Sequence, residues 1–243
     1  MSGGPCLDVW YDLHIHSCLS PCADDDMTPC DLVRMAKLKG LGLIALTDHN
    51  SCGNCAAAMA AGEREGVLVM PGMELCTREE IHVVCLFAQL AGALEFERLV
   101  RSRMPDISNR PEIFGRQIRM DEWDRPVGEE PRLLLTAADV GFDRAAALAG
   151  SCGGAAFPAH IDRPAYGAVG VLGCLPPGLG YAAAELSAAC DREKFLAGRT
   201  DMAGLRLLTD SDAHSLGRIS EPVHRMILPA LTRRSVVKVL TRS

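Results

Sequence analysis

The sequence predicts an α/β fold: a mainly parallel sheet with helices outside, closed or nearly closed into a barrel. Two observations lead there. Short apolar runs alternate with helical patterns about seven times within 243 residues, which fits one barrel better than two separate sheets. Six of the seven histidines fall at the edges of those apolar runs, where barrels of this kind carry their chemistry.

The elements follow in order. Residues 8–15 (DVWYDLHI) read as a strand. A helix then starts at "TPCDLVRMAKLKG", with Thr28 as N-cap, Pro29 at the first helical position, Leu32, Met35 and Leu38 at helical spacing, and Gly40 as the stop. Residues 41–49 (LGLIALTDH) form a buried strand with a polar end, and "NCAAAMAAGEREG" a short helix. Strands over 67–74 and 80–88 and a helix over 91–104 come next. Residues 105–130 break the rhythm, being polar, Pro-containing and weakly periodic, and read as an insertion packed on the domain. A helix over 143–150, strands over 154–161, 181–187, 204–214 and 223–229, and a helix over 232–241 complete residues 1–243 as one barrel-type domain.

Composition narrows the function. The formal charge of −6 and pI of about 5.6 argue against a protein that coats nucleic-acid duplexes, a class that carries a basic surplus. No apolar stretch approaches 18 residues, so no membrane span is expected. Eleven cysteines without a signal-peptide pattern point to reduced thiols and a cytoplasmic protein.

The polar strand ends have one chemistry in common. His14 and His16 lie two residues apart, so a strand points both to the same face. Asp48 and His49 end the second strand, Glu74 the third, and His160 a later one. Asp210, Asp212 and His214 follow another, while His82 stands irregularly near the start of its strand. Imidazole and carboxylate together hold Zn, Mn or Fe, and a shared carboxylate such as Glu74 can join two ions. Paired ions can generate a hydroxide and clamp a phosphoryl group. Each of these residues alone would read as an ordinary hydrogen-bonded side chain; it is their joint placement that points to a metal site.

These residues resemble the PHP (polymerase and histidinol phosphatase) domain family. "DLHIHS", "LTDHN", "PGMEL" with "IHVV", and "SDAH" are similar to its four motifs in order, and "PAH" to a further family histidine. The resemblance spans residues 12–214, and the segment around 111–143 also resembles an insertion in a stand-alone bacterial branch. It implies a distorted (β/α)7 barrel with three divalent ions. His14, His16, Glu74 and Asp212 would hold the first. Glu74, His82 and His160 would hold the second. His49, His214 and a loop aspartate would hold the third. Asp24 stands four residues before Thr28, as the family places that aspartate, but the loop is longer than usual and Asp25 or Asp26 could serve. Asp12 and Asp48 would orient histidines, and Asp210 would either support a ligand from behind or be structural.

The activity so implied is a metal-dependent phosphoesterase acting on a small phosphorylated substrate, a nucleotide or sugar phosphate, through a hydroxide bridging two ions. His214 or His160 would assist the leaving group, and Arg218, ahead of Arg163, would grip phosphate. An amide or lactone hydrolase using the same cluster, or a non-catalytic module, are the alternatives. Cys18, Cys22, Cys52 and Cys55 form pairs that could meet as a tetrathiolate zinc site or remain free thiols. Phe114, Trp123 and Phe142 could stack on a base or simply pack, and packing is the preferred reading.

Overall fold

A computed structural model describes residues 6–241. The elements in chain order are β1 (Leu7–Ile15), α1 (Pro29–Leu38), β2 (Leu43–Leu46), α2 (Cys55–Glu65), β3 (Leu68–Cys76), β4 (His82–Phe87), α3 (Leu90–Arg101), α4 (Pro111–Phe114), β5 (Ile118–Met120), β6 (Pro126–Glu129), α5 (Phe142–Ser151), β7 (Gly154–Pro158), α6 (Ala168–Leu172), β8 (Ala183–Ser187), α7 (Arg192–Leu196), β9 (Arg206–Asp210), β10 (Arg225–Leu228) and α8 (Arg233–Leu240). Pro29 opens α1 and Thr28 stands at its N-cap position as expected, but the Thr28 side chain makes no cap hydrogen bond; its hydroxyl donates to Asp124 at 2.5 Å instead. α2 ends on Gly66 in the left-handed conformation.

Six strands form one sheet in the order β10-β1-β2-β3-β4-β7, and β8 and β9 pair separately. A few backbone hydrogen bonds join the two units on both sides. Ile161 N donates to Glu185 O at 2.9 Å, and His16 N donates to Ala213 O at 3.0 Å. The result is a curled sheet in a mixed α/β fold.

The expectation of mainly parallel strands is corrected in part. β1-β2-β3 and β8-β9 are parallel, whereas β3-β4, β4-β7 and β1-β10 are antiparallel. The five residues between β3 and β4 are too few for the crossover that a parallel pair requires. This also accounts for the irregular position of His82. β4 runs backwards, its first residue His82 faces Cys76 at the end of β3, and its start lies at the same sheet edge as the other strands' ends.

Two apolar clusters fill the fold. The larger lies between the strands and α1, α2, α3 and α5. The other joins Leu13, Leu43, Met70, Leu86, Phe157 and Leu208 to Leu228, Val236 and Leu240 from β10 and α8. The 105–130 segment carries α4 and the β5-β6 hairpin. It is tied to the loops after β1 and β2: Ile118 N donates to Cys18 O at 2.8 Å, and Asn54 bonds both Ile118 O and Met120 N. Phe142 packs against Tyr181, whereas Trp123 is exposed beneath Arg64.

Candidate metal centre

The sheet edge brings His14, His16, His49, Glu74, His82, His160, Asp212 and His214 together. Their donor atoms make three overlapping groups: His14, His16, Glu74 and Asp212; His49, Glu74 and His82; and His16, His49 and His214. His160 reaches Glu74 as well, with Nε2 3.2 Å from Oε1. Backbone strain marks the two turns that deliver ligands, since His160 (φ 29°) and Asp212 (φ 50°) adopt the left-handed region without being glycine.

Hydrogen bonds behind the cluster set which ring nitrogens face it. His14 Nδ1 lies 2.8 Å from Glu185 Oε2, a carboxylate that can only accept. The proton therefore sits on Nδ1, and the Nε2 lone pair faces inward. Ser20 does the same for His16. Its hydroxyl donates to Asp48 at 2.7 Å and so accepts from His16 Nδ1 at 2.9 Å. Asp48 thus acts on His16 through Ser20. Asp12 does not orient a histidine: it accepts from Ser211 N and Ser220 N and ties β1 to the loop bearing Asp212 and His214. Asp210 accepts from Leu13 N, a structural bond.

The donor set fits a divalent cation. His14 Nε2 and His16 Nε2 face each other at 3.3 Å. Asp212 Oδ1 is 3.4 and 3.1 Å from them, and Glu74 Oε1 is 3.2 Å from His14 Nε2. Ligands about 2.0–2.1 Å from a zinc-sized ion stand about 3.3 Å apart at tetrahedral angles. Glu74 Oε2 lies 2.9 Å from His49 Nδ1, yet it is buried without a hydrogen-bond partner, as is His160 Nδ1. Buried polar atoms rarely stay unpaired, and a cation among these donors would satisfy Glu74 Oε2.

The electrostatics agree. Burial pushes His14 down, but Glu185, Glu74 and Asp212 outweigh it and hold the imidazole well above its ordinary pKa. Against the same burial penalty, Asp212 and Glu74 lift His16 to about 9. His49, opposed by burial and by His16, also reaches about 9 through Glu74 and the adjoining Cys22 thiol. Glu74, despite burial, is held well below the carboxylate range by His82, His14 and His49. Burial and the neighbouring His16 depress His214 to about 3. The site therefore draws positive charge, as protons when metal is absent and as metal when it is supplied.

The other predicted residues lie further out. Asp24 is exposed at the rim of a second cavity, with Cys22, Asp212, His214 and Arg218, and outside all three donor groups. Asp25 turns to Arg116, with 3.7 Å between charged atoms. Arg163 donates to Asp212 at 2.6 Å and lines both cavities; Arg218 lines only the second. The cysteines do not assemble a tetrathiolate site. The buried Cys52 and Cys55 thiols both donate to Gly72 O, Cys18 packs with Ile118 and Met120, and Cys22 stands by His49. Glu185 and Ser20 escaped the sequence reading, although a lone carboxylate in the Ala-rich strand "YAAAELS" was a signal. Among the described residues, no helix is long and apolar enough to cross a membrane.

Comparison with known proteins gives the site a context. The family model described as the PHP domain matches residues 12–156. The chain is 31% identical over 177 residues to the 5'-3' exoribonuclease Rnm of Salmonella typhimurium, covering 70% of this chain and 57% of that protein. It is 37% identical over 78 residues to the 3',5'-nucleoside bisphosphate phosphatase of Chromobacterium violaceum, covering 31% of this chain and 26% of that one. The chain thus spans between about a quarter and three fifths of the length of these relatives. Endonuclease Q, solved with a 27-mer duplex carrying an abasic lesion, superposes with a TM-score of 0.70 at 19% identity, over 96% of this chain and 56% of that one.

These findings correct the expected partner. The family resemblance implies a small phosphorylated substrate and the acidic composition argues against duplex binding, yet the relative aligned over most of the chain is an exoribonuclease, and a protein of the same fold holds a duplex. Net charge sums over the whole surface, whereas a strand held at one site meets only the local charge, which here includes Arg163, Arg218 and a cation-seeking cluster.

Proposed function

The chain belongs to the PHP domain family, a family of metal-dependent phosphoesterases and nucleases, and we propose that it hydrolyses phosphodiester bonds of a nucleic-acid strand, working from the 5' end. The observation that carries this reading is the match to the exoribonuclease across 70% of the chain, taken with a cluster that opens into a cavity beside Arg163. The described residues act as one unit, with the 105–130 segment buttressing the loops after β1 and β2. Three divalent ions, Zn, Mn or Fe, fit the three donor groups, and such ions supply an activated water and neutralise the phosphoryl group.

The chain's own residues do the rest. His14, His16, Glu74 and Asp212 hold the most buried group, fixed from behind by Glu185 and Ser20. His82 and His49 share Glu74 with it, and His160 completes that side. His214 stays unprotonated near neutral pH and is available as a ligand with His16 and His49. Arg163, fixed by Asp212, presents its guanidinium toward the cavity, where it would hold a non-bridging phosphate oxygen; Arg218 would receive the strand at the rim.

The test is direct. Protein loaded with Mn²⁺ is incubated with 5'-phosphorylated RNA of about 20 nucleotides, and products are separated by length. The reading requires release of mononucleotides and a shortening ladder. RNA left intact by metal-loaded protein would refute it.

A further inference from the structure

One aromatic ring at the mouth of the metal cavity has no packing role that accounts for its position. Tyr166 is 46% exposed and lines the cavity of about 330 Å³ whose floor is the donor cluster. One face of its ring is stacked on His82, with centroids 4.4 Å apart and planes 23° from parallel. The ring is therefore held flat on one face, while the residue remains exposed at the cavity. Apart from the histidines of the cluster, no other aromatic ring lines this cavity among the described residues.

The backbone holds the ring in place at a cost. Tyr166 has φ 60°, a region that bulky residues seldom enter. Its carbonyl accepts from His82 N at 2.9 Å, which pins the loop to the first residue of β4. Gly167 lets that loop close: a Cβ there would meet Arg163 O at 2.4 Å and His160 O at 2.8 Å. The same short loop therefore delivers His160 to the cluster, Arg163 to Asp212 and Tyr166 to the mouth. Strain at a residue with so little burial is not needed for the core, and it is found where a side chain must be presented.

We propose that Tyr166 is a nucleobase-stacking platform, which holds a base flat beside the cluster while Arg163 faces the adjoining phosphate. The ligand class is any nucleobase, purine or pyrimidine, because every base has a π-face and stacking reads no hydrogen-bond pattern. The cavity thus combines the three things a single strand offers: a phosphodiester for the cluster, a phosphate charge for Arg163 and a base for Tyr166. The inference rests on the nucleic-acid reading above.

The experiment compares two 5'-phosphorylated RNA strands with Mn²⁺-loaded protein. One strand is normal and the other is abasic at its first two positions. Wild type should show a lower KM for the normal strand. Tyr166→Leu should raise that KM roughly 5- to 100-fold, the range of base–aromatic stacking, and so erase the advantage over the abasic strand; Tyr166→Phe should keep it. Metal content is measured for each variant, since Tyr166 also touches His82. Equal KM values for the two strands in wild type, or an equal loss on both strands in Tyr166→Leu, would overturn the platform alone. Cleavage of neither strand would overturn the nucleic-acid reading and the platform with it.

Discussion

The two ends of the sheet use the same strands for opposite purposes. At one end, His14, His16, Glu74 and Asp48 are almost wholly buried, and carboxylates and imidazoles crowd within 3.5 Å. At the other, Leu228, Val236 and Leu240 from β10 and α8 close over Leu13, Leu43 and Met70 in an apolar cluster without a buried carboxylate or imidazole. β1 contributes to both, since Leu13 and Ile15 fill the apolar clusters while His14 and His16 face the mouth. The apolar end repays its burial without help. The polar end buries charge that is costly unless paired, and its pairing is complete only with cations. Stability is thus concentrated at one end, and the mouth takes on the burden of chemistry.

Four outcomes would break or sharpen that contrast, from the largest expected effect on hydrolysis to the smallest. Glu74→Ala should strip ions from two of the donor groups and lower the hydrolysis rate by at least about 10²- to 10³-fold, the scale of losing one electrostatic stabiliser. Elemental analysis beside the RNA assay checks it, and an active, metal-poor variant would remove Glu74 from the centre. Glu185→Gln leaves a group that can present either its oxygen or its amide to His14 Nδ1. Metal affinity should fall about 10- to 100-fold, as for other partners that orient ligand histidines, read by titration with a chelator.

The third outcome is a pH dependence of the metal-free protein. His16 and His49 have folded pKa values of about 9, raised from 6.5. A raised histidine contributes stability that is full below the unfolded value and lost as pH rises through the folded one. The Tm of metal-free protein should therefore fall between pH 6.5 and about 9, and metal binding should strengthen over the same interval as the competing protons leave. Saturation with Mn²⁺ should flatten the trend; a Tm of the metal-free protein that rises over that interval would contradict the charge assignment. The smallest effect on chemistry belongs to Leu228→Ala at the apolar end. It should cost about 2–5 kcal/mol of stability, measured by denaturant titration, while metal content and the rate per folded molecule stay unchanged.

Much of the polar end was legible in the sequence. The alternation in "DLHIHS" places two imidazoles on one face, and the strand-end rule gathers His49, Glu74, His160, Asp212 and His214 around them. Strand direction is not carried by an apolar run itself; the signal that could have given it is the five-residue connection between β3 and β4, too short for a parallel crossover. His82 therefore looked misplaced until β4 proved antiparallel. Glu185 and Ser20 belong to no motif, and their roles emerge only when β8 meets β1 and the loop after β1 folds back. Tyr166 was hidden for a similar reason: its ring matters through a stacking on His82, 84 residues earlier in the chain. The nucleic-acid partner was not legible, because the family motifs carry the metal ligands and not the substrate, and a sum over all charges says little about one cavity.

The central claim is that the polar end is a metal centre built for nucleic-acid phosphodiesters. It is tested most directly by stripping the protein with chelator, restoring Mn²⁺ in steps, and measuring bound ions and RNA shortening on the same samples. The account predicts more than one ion per chain, and release of mononucleotides that rises with occupancy and vanishes on stripping. Failure to bind ions after restoration, or full occupancy with intact RNA, would contradict it.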